Sequence, residues 1–266
     1  MTDLNNATVL ITGAGGGFGR EMIRQFAAEG SKLVLHDMPG VDLTATAEEL
    51  LADTSVVRVV SNTDLSNTAG ADELFEAVNA AGIVPDIIVN NAGIGYGGRL
   101  DYVPEDRWDA VMQINLMSPM RICQLFMPGM IERGSGHVVN ISSIAGWVGP
   151  KSMTSYAASK FGLRGFSQAL RGDLSPHGIK VSTVYPWFSR TPILESESFG
   201  PKQNLEVPED QVTEPADVIG EVVRGVKNNV DDIFPDKMAR RIQFISRHFP
   251  RMLNRMIRRL NEQVFD

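Results

Sequence analysis

The first apolar run of the chain, Thr8-Val9-Leu10-Ile11, ends in Thr12-Gly13-Ala14-Gly15-Gly16-Gly17-Phe18-Gly19 and leads directly into an amphipathic stretch. In that stretch, Phe18 to Glu29, the side chains of Met22, Phe26 and Ala27 share one face, and Gly30 stops it. So much glycine between a strand and a helix serves a backbone that must bend sharply and leave open space beside it. A helix placed there carries the chain across a sheet, so the next strand pairs in parallel.

The rest of the chain repeats this alternation. Strands are expected at 32–36, 56–60, 87–89, 137–141 and 179–184, and helices at 43–52, 71–81 and 155–174. A long helical stretch opens at Pro104, with a break expected near Pro119, and ends by Arg133. The strand runs are apolar throughout rather than alternating, as in a sheet covered on both faces. The fold class is therefore α/β, a doubly wound parallel sheet flanked by helices. Residues 1–236 are expected to form one domain, with 190–212, rich in proline and acids, as a mobile substrate loop.

Composition narrows the partners. A net charge of −7 argues against free nucleic acid. The lone Cys123, beside Ile122, cannot make an internal disulfide and reads as a buried, inert thiol in a reducing, cytoplasmic setting. No apolar run reaches the ~20 residues of a membrane span. The first seven residues lack a signal-peptide layout. The four histidines are scattered, so no metal site is expected.

The glycine turn, followed by a helix N-terminus with unpaired amides, is suited to a pyrophosphate. No Gly-Lys-Ser/Thr follows, which disfavours a nucleoside-triphosphate loop. Asp37 ends the second strand, where an acid can bond adenosine ribose hydroxyls and repel a 2′-phosphate; this favours NAD over NADP. The alternative is a solvated acid in the turn Asp37-Met38-Pro39-Gly40. Asp64, after the third strand, either meets the adenine or caps a helix.

Tyr156 and Lys160 stand four apart on a predicted helix and so share a face. A free phenol is a poor base at neutral pH, and a nearby cation lowers its pKa into a useful range. Thirteen residues before Tyr156, Ser142 and Ser143 end the fifth strand. Asn90-Asn91-Ala92-Gly93 ends the fourth at the same sheet edge, and Asn115 lies in the helix that follows. In an open parallel sheet the carboxyl ends of the strands are where ligands bind.

In these motifs, from Thr12-Gly-x-x-x-Gly-x-Gly19 through Asn90-Asn-Ala-Gly93 and Ser143 to Tyr156-x-x-x-Lys160, residues 7 to about 192 resemble the short-chain dehydrogenase/reductase family in its compact branch. The resemblance implies a Rossmann-type fold and an NAD-dependent oxidoreductase acting on a secondary alcohol or ketone. Tyr156 would be the general acid/base, with Lys160 lowering its pKa and bonding the nicotinamide ribose. Ser143 would steady the substrate oxygen, and Asn115 would hold a relay water through its backbone. Gly13, Gly17, Phe18 and Gly19 would form the pyrophosphate loop, Asn91 and Gly93 would face the cofactor, and Thr191 would meet the carboxamide. The family often forms dimers or tetramers, so a homo-oligomer is expected. One departure stands out: Pro186 is followed by Trp187 where the family has glycine. A rival reading is a non-catalytic NAD(H)-binding sensor or a membrane-recruited scaffold.

On the substrate side the candidates are Ile94, Tyr96, Ile144, Trp147, Met153, Trp187 and Phe188, with Lys151 the one cation expected at the mouth. They favour a hydrophobic small-molecule substrate, though each can equally be packing. The tail is a region apart. Residues 237–259 hold eight Lys/Arg and no acid, giving +6 for 237–266 against −13 for 1–236. Met238, Ile242 and Ile245, then Leu253, Met256, Ile257 and Leu260 after Pro250, keep helical spacing. Two basic amphipathic helices are expected, forming either a membrane-surface contact through 237–260 or an element packed between subunits or on the acidic body.

Overall fold

The structure, a computed structural model, describes residues 1–201, 209–253 and 255. Its first half comprises β1 (Thr8–Thr12), α1 (Gly17–Ala28), β2 (Lys32–Asp37), α2 (Leu43–Leu50), β3 (Val57–Asn62), α3 (Thr68–Ala80) and β4 (Ile87–Asn90). Then come β5 (Gly97–Gly98), α4 (Glu105–Met112), α5 (Ser118–Arg133), β6 (Gly136–Ile141), α6 (Thr154–Leu174) and β7 (Ile179–Val184). The chain continues through β8 (Ser198–Phe199), α7 (Pro215–Lys227), β9 (Asp232–Ile233) and α8 (Lys237–His248).

Seven strands pair in parallel in the order β3-β2-β1-β4-β6-β7-β9. Both faces are buried, which is why the strand runs are continuously apolar. Val9 and Ile11 of β1 enter one core with α1, α2 and α7, built on Phe26, Leu43 and Val222. Leu10 enters the other with α3, α5 and α6, built on Leu74, Phe126 and Leu170. The order turns back between β1 and β4, so their carboxyl ends diverge and leave a crevice. This is a Rossmann-type doubly wound fold.

Several expectations are corrected. Pro119 does not break the helix. Residues Gln113–Met117 form a π-type turn and α5 continues to Arg133. Pro119 has no N–H for the carbonyl four residues back, that of Asn115, and the wider turn absorbs the mismatch. Asp64 is not the cap of α3; that is Asn67, which accepts from the Gly70 amide. The strand β9 and helix α7 went unread, β9 because two residues carry no periodicity. Within the expected loop, β8 pairs with β5, and Ser189 just before it bridges Thr213. The first tail helix is docked: Ala239 and Ile245 of α8 are buried on the body. The second begins at Pro250 and is seen at 250–253 and 255, whereas Met256, Ile257, Leu260 and residues 202–208 of the expected loop lie outside the described residues. No helix among the described residues is long and apolar enough to cross a membrane. Cys123 is fully buried, and burial pushes its thiol up to about 12.

Candidate active site

The crevice edge begins with backbone meeting backbone. Gly13 has φ +66° and lies so close to β4's end that a Cβ would fall 2.9 Å from the Ala92 Cα. At Gly19 a Cβ would sit 2.1 Å from the Gly13 carbonyl oxygen, so nothing larger fits. Helix α1 starts at Gly17 with no side-chain cap and no acid in its first turn. The amides of Gly17, Phe18 and Gly19 thus form a positive end suited to phosphate. Thr191 rests against Gly17, its Cγ2 at 2.8 Å from where a Cβ would be.

Side chains from β1 and β4 lock this loop. The Thr12 hydroxyl oxygen accepts from the Asn91 amide at 3.1 Å and the Ala92 amide at 3.0 Å. Asn91 Nδ2 donates to the carbonyls of Thr12 at 2.9 Å and Gly13 at 3.0 Å. Asp37 is no solvated turn acid, since its Oδ2 accepts from the Gly15 amide at 2.8 Å at the lip of the loop. Asp64 is exposed and engaged in its own turn, accepting from the Ser66 amide and hydroxyl at 2.8 Å.

Helix α6 brings the reactive candidates to the same edge. Lys160 is 3% exposed, its Nζ donates to the Ile141 carbonyl at 2.9 Å, and it lies 5.6 Å from the Tyr156 ring centre. Gly93 leaves room for it, because a Cβ there would approach Lys160 Nζ to 3.4 Å and Asn115 Oδ1 to 3.3 Å. Gly95, which sequence reasoning passed over, does the same for the Tyr156 ring at 3.2 Å. Burial lowers the Lys160 ammonium to about 8. Burial also holds the Tyr156 phenol above its ordinary value, with the Ser143 side chain opposing. The phenol expected from the sequence to be lowered is instead raised in this structure, because desolvation outweighs the Ser143 side chain.

The two serines divide. Ser142 Oγ donates to the Lys160 carbonyl at 3.0 Å and braces the helix, while Ser143 engages the phenol and caps its own turn at the Ala145 amide, 3.1 Å away. Asn115, 1% exposed, accepts from the Ile94 amide at 2.9 Å and donates to the Ile94 carbonyl at 2.8 Å and Ser159 Oγ at 3.1 Å. Ser159 Oγ in turn donates to the Tyr156 carbonyl at 2.8 Å. The π-type turn is thus stitched to both β4's end and α6.

The substrate-side candidates fall into two groups. Ile94, Tyr96 and Met153 cluster with Tyr156 and Ile193. Ile144, Trp147 and Trp187 cluster instead with Tyr185, Phe234, Ala239 and Ile242, against α8. Trp187 also packs edge-on against Phe188, with ring centres 4.8 Å apart. The mouth holds a cation the sequence did not place there: the Arg107 guanidinium lies 5.7 Å over the Tyr96 ring. Asp236 was missed as well. It is buried, caps α8 at the Ala239 amide and accepts from the Trp187 amide at 2.8 Å. An acid just before an amphipathic run was the available signal.

A family model described as short chain dehydrogenase matches residues 7–200. The chain belongs to this short-chain dehydrogenase/reductase family of oxidoreductases. A probable oxidoreductase, EphD of Mycobacterium tuberculosis, is 36% identical over 192 residues. That match covers 72% of this chain and 32% of the relative, so the chain spans about a third of that relative's length. A short-chain dehydrogenase/reductase from Burkholderia phymatum in complex with NAD superposes with TM-score 0.75 at 28% identity, covering 88% of this chain and 90% of that one. A short-chain dehydrogenase from Sphingobium yanoikuyae in complex with NADPH gives TM-score 0.77 at 28% identity, covering 92% and 95%. Family members of this architecture thus bind either nicotinamide dinucleotide.

Proposed function

We propose that this chain transfers a hydride between NAD and a hydrophobic secondary alcohol or ketone. The observation that carries the reading is the convergence of the Tyr156 phenol, the Ser143 side chain and the buried Lys160 ammonium beside Gly93. The cradle fits a dinucleotide: Gly13, Gly17 and Gly19 leave no room for a Cβ, and α1 offers uncapped amides at Gly17, Phe18 and Gly19. Asn91, Gly93 and Thr191 line the path from that loop toward Lys160. When bound, the nicotinamide supplies the hydride acceptor or donor.

The side chains supply the rest. Tyr156 exchanges a proton with the substrate oxygen, and Ser143 holds that oxygen in line. Lys160 bonds the nicotinamide ribose and favours the phenolate once it is fully charged. Pro119 removes the α-helical donor of the Asn115 carbonyl, which supports Asn115 as the holder of a relay water. Asp37, at the lip of the loop, supports NAD over NADP by repelling a 2′-phosphate. Asp64 is assigned the adenine edge. Ile94 and Tyr96, clustered with Tyr156, support an apolar substrate side, and Ile144 and Trp187 are assigned a second apolar surface beside it, with Trp187 as its wall. The outer face of α6 exposes Ala158, Phe161, Gly165, Ala169 and Gly172, a smooth strip that supports self-association of two copies, checked by light scattering.

The test is NAD⁺ reduction at 340 nm over secondary alcohols of rising chain length, with NADP⁺ alongside. Turnover with NAD⁺ that improves with chain length supports the reading. Dinucleotide binding by fluorescence without turnover on any alcohol or ketone returns the sensor reading instead.

A further inference from the structure

Helix α8 has two working faces. Its inner face carries Ala239, Ile242 and Ile245 onto the body, and Trp147 Nε1 donates to Ser246 Oγ at 2.5 Å. Its outer face and the turn after it expose Phe244 (55%), Phe249 (53%) and Met252 (45%), large apolar side chains left in water. The rings of Phe244, His248 and Phe249 gather into one patch, Phe244 lying 4.7 Å from His248 and 6.4 Å from Phe249 between centres. Around this patch stand Arg240, Arg241, Arg247 and Arg251, all exposed. Arg240 leans toward Glu221 of α7, at 3.8 Å. Residues 237–259 contain no acid, although the body before them is strongly acidic.

We propose that this outer face docks on an anionic lipid bilayer. Aromatic side chains enter the headgroup boundary, and a ring of guanidinium groups meets lipid phosphates; each alone binds weakly, and together they hold a helix in the interface plane. A purely basic face would serve any polyanion, but the apolar centre gains only where there is a hydrophobic layer to enter. The acidic body opposes a flat approach to a negative surface, so contact is confined to α8 and its turn. The same helix packs against Trp147 and Trp187, two of the side chains proposed on the substrate side. This goes beyond the oxidoreductase reading and does not depend on it.

The experiment is flotation of the full chain with phosphatidylcholine vesicles, with and without phosphatidylglycerol. Binding to the mixed vesicles, weak binding to the neutral ones, and loss on raising salt are expected. The pair Phe244→Ser and Phe249→Ser, and separately Arg247→Glu with Arg251→Glu, should each lower vesicle binding at least about tenfold with melting unchanged. No flotation of the wild type, or equal flotation of wild type and both variants, overturns the proposal. So does a serine variant that changes only the oligomeric state in light scattering, which assigns the patch to a second copy. Binding a single-stranded oligonucleotide as tightly as the mixed vesicles also overturns it. A 1–255 truncation that floats when the full chain does not assigns the face to residues 256–266.

Discussion

Around the glycine loop the contacts join main chain to a few short polar side chains. Carbonyls of Thr12 and Gly13 meet Asn91, the Gly15 amide meets Asp37, and bare glycines let strands approach. On the far side of Tyr156 the contacts are made by side chains from distant segments. Trp147 packs edge-on against Tyr185 at 5.3 Å and Phe234 at 5.2 Å, Arg164 lies 3.6 Å over its ring, and α8 closes the back. At Gly13 and Gly19 the first region tolerates almost no change, because a methyl group there collides with backbone. The second can be reshaped one side chain at a time. Under the proposed reading, the first region holds the dinucleotide and the second sets the substrate.

Substitutions that cross this boundary break or sharpen the comparison. Tyr156→Phe, between the two regions, should cut turnover by roughly 10²–10⁴-fold while dinucleotide affinity by fluorescence titration stays unchanged. Surviving turnover removes the phenol from its assigned role. Gly19→Ala should weaken dinucleotide binding by at least about tenfold and cost about 1–3 kcal/mol in thermal melting, since its methyl meets the Gly13 carbonyl. A loop that absorbs the methyl without loss would show that the main-chain region is softer than described.

His36 lies under the same loop. Burial lowers it to about 4, below its ordinary 6.5. The Thr63 hydroxyl donates to the Gly70 carbonyl at 2.7 Å, so His36 Nε2 must donate to Thr63 Oγ1, at 2.9 Å, and the neutral ring fits. The unfolded chain binds the proton first, so this stability is present above pH 6.5 and is lost as pH falls toward 4. Melting against pH should show the loss, about 3 kcal/mol at most from this group, and His36→Gln should flatten it. Burial lowers His137 to about 4 as well, so part of the slope survives in that variant.

Asp37→Ala should shift the NADP-to-NAD ratio of kcat/KM about tenfold toward NADP. An unchanged ratio leaves Asp37 as a brace for Gly15 alone. The smallest effect belongs to the side-chain region: Ser246→Ala removes the acceptor of Trp147 and should cost about 0.5–1.5 kcal/mol, altering KM for bulky substrates and leaving dinucleotide affinity untouched. Equal weakening of both affinities would erase the boundary between the regions.

Local chemistry made much of this legible in advance. The turn from Thr12 to Gly19, the continuous apolar strands and the four-residue step from Tyr156 to Lys160 carry their meaning within a few residues, because backbone conformation and helix periodicity are short-range properties. The parallel sheet, the family and the candidates around Lys160 follow from them. Ser143 could be preferred to Ser142 from its place in the motif, though only the fold shows that Ser142 is spent on the Lys160 carbonyl. Other features had no local signal. The two-residue β9 exists because β7 offers it an edge, and β8 because it meets β5. Asp236 acquires its task only when Trp187, 49 residues away, comes within reach. The raised phenol of Tyr156 comes from how much of the protein surrounds it, and burial is a sum over the whole fold. The tail reads from sequence as two amphipathic helices; which face of α8 would be covered and which left to water was decided by the aromatic cluster it docks on, assembled from three separate stretches of chain.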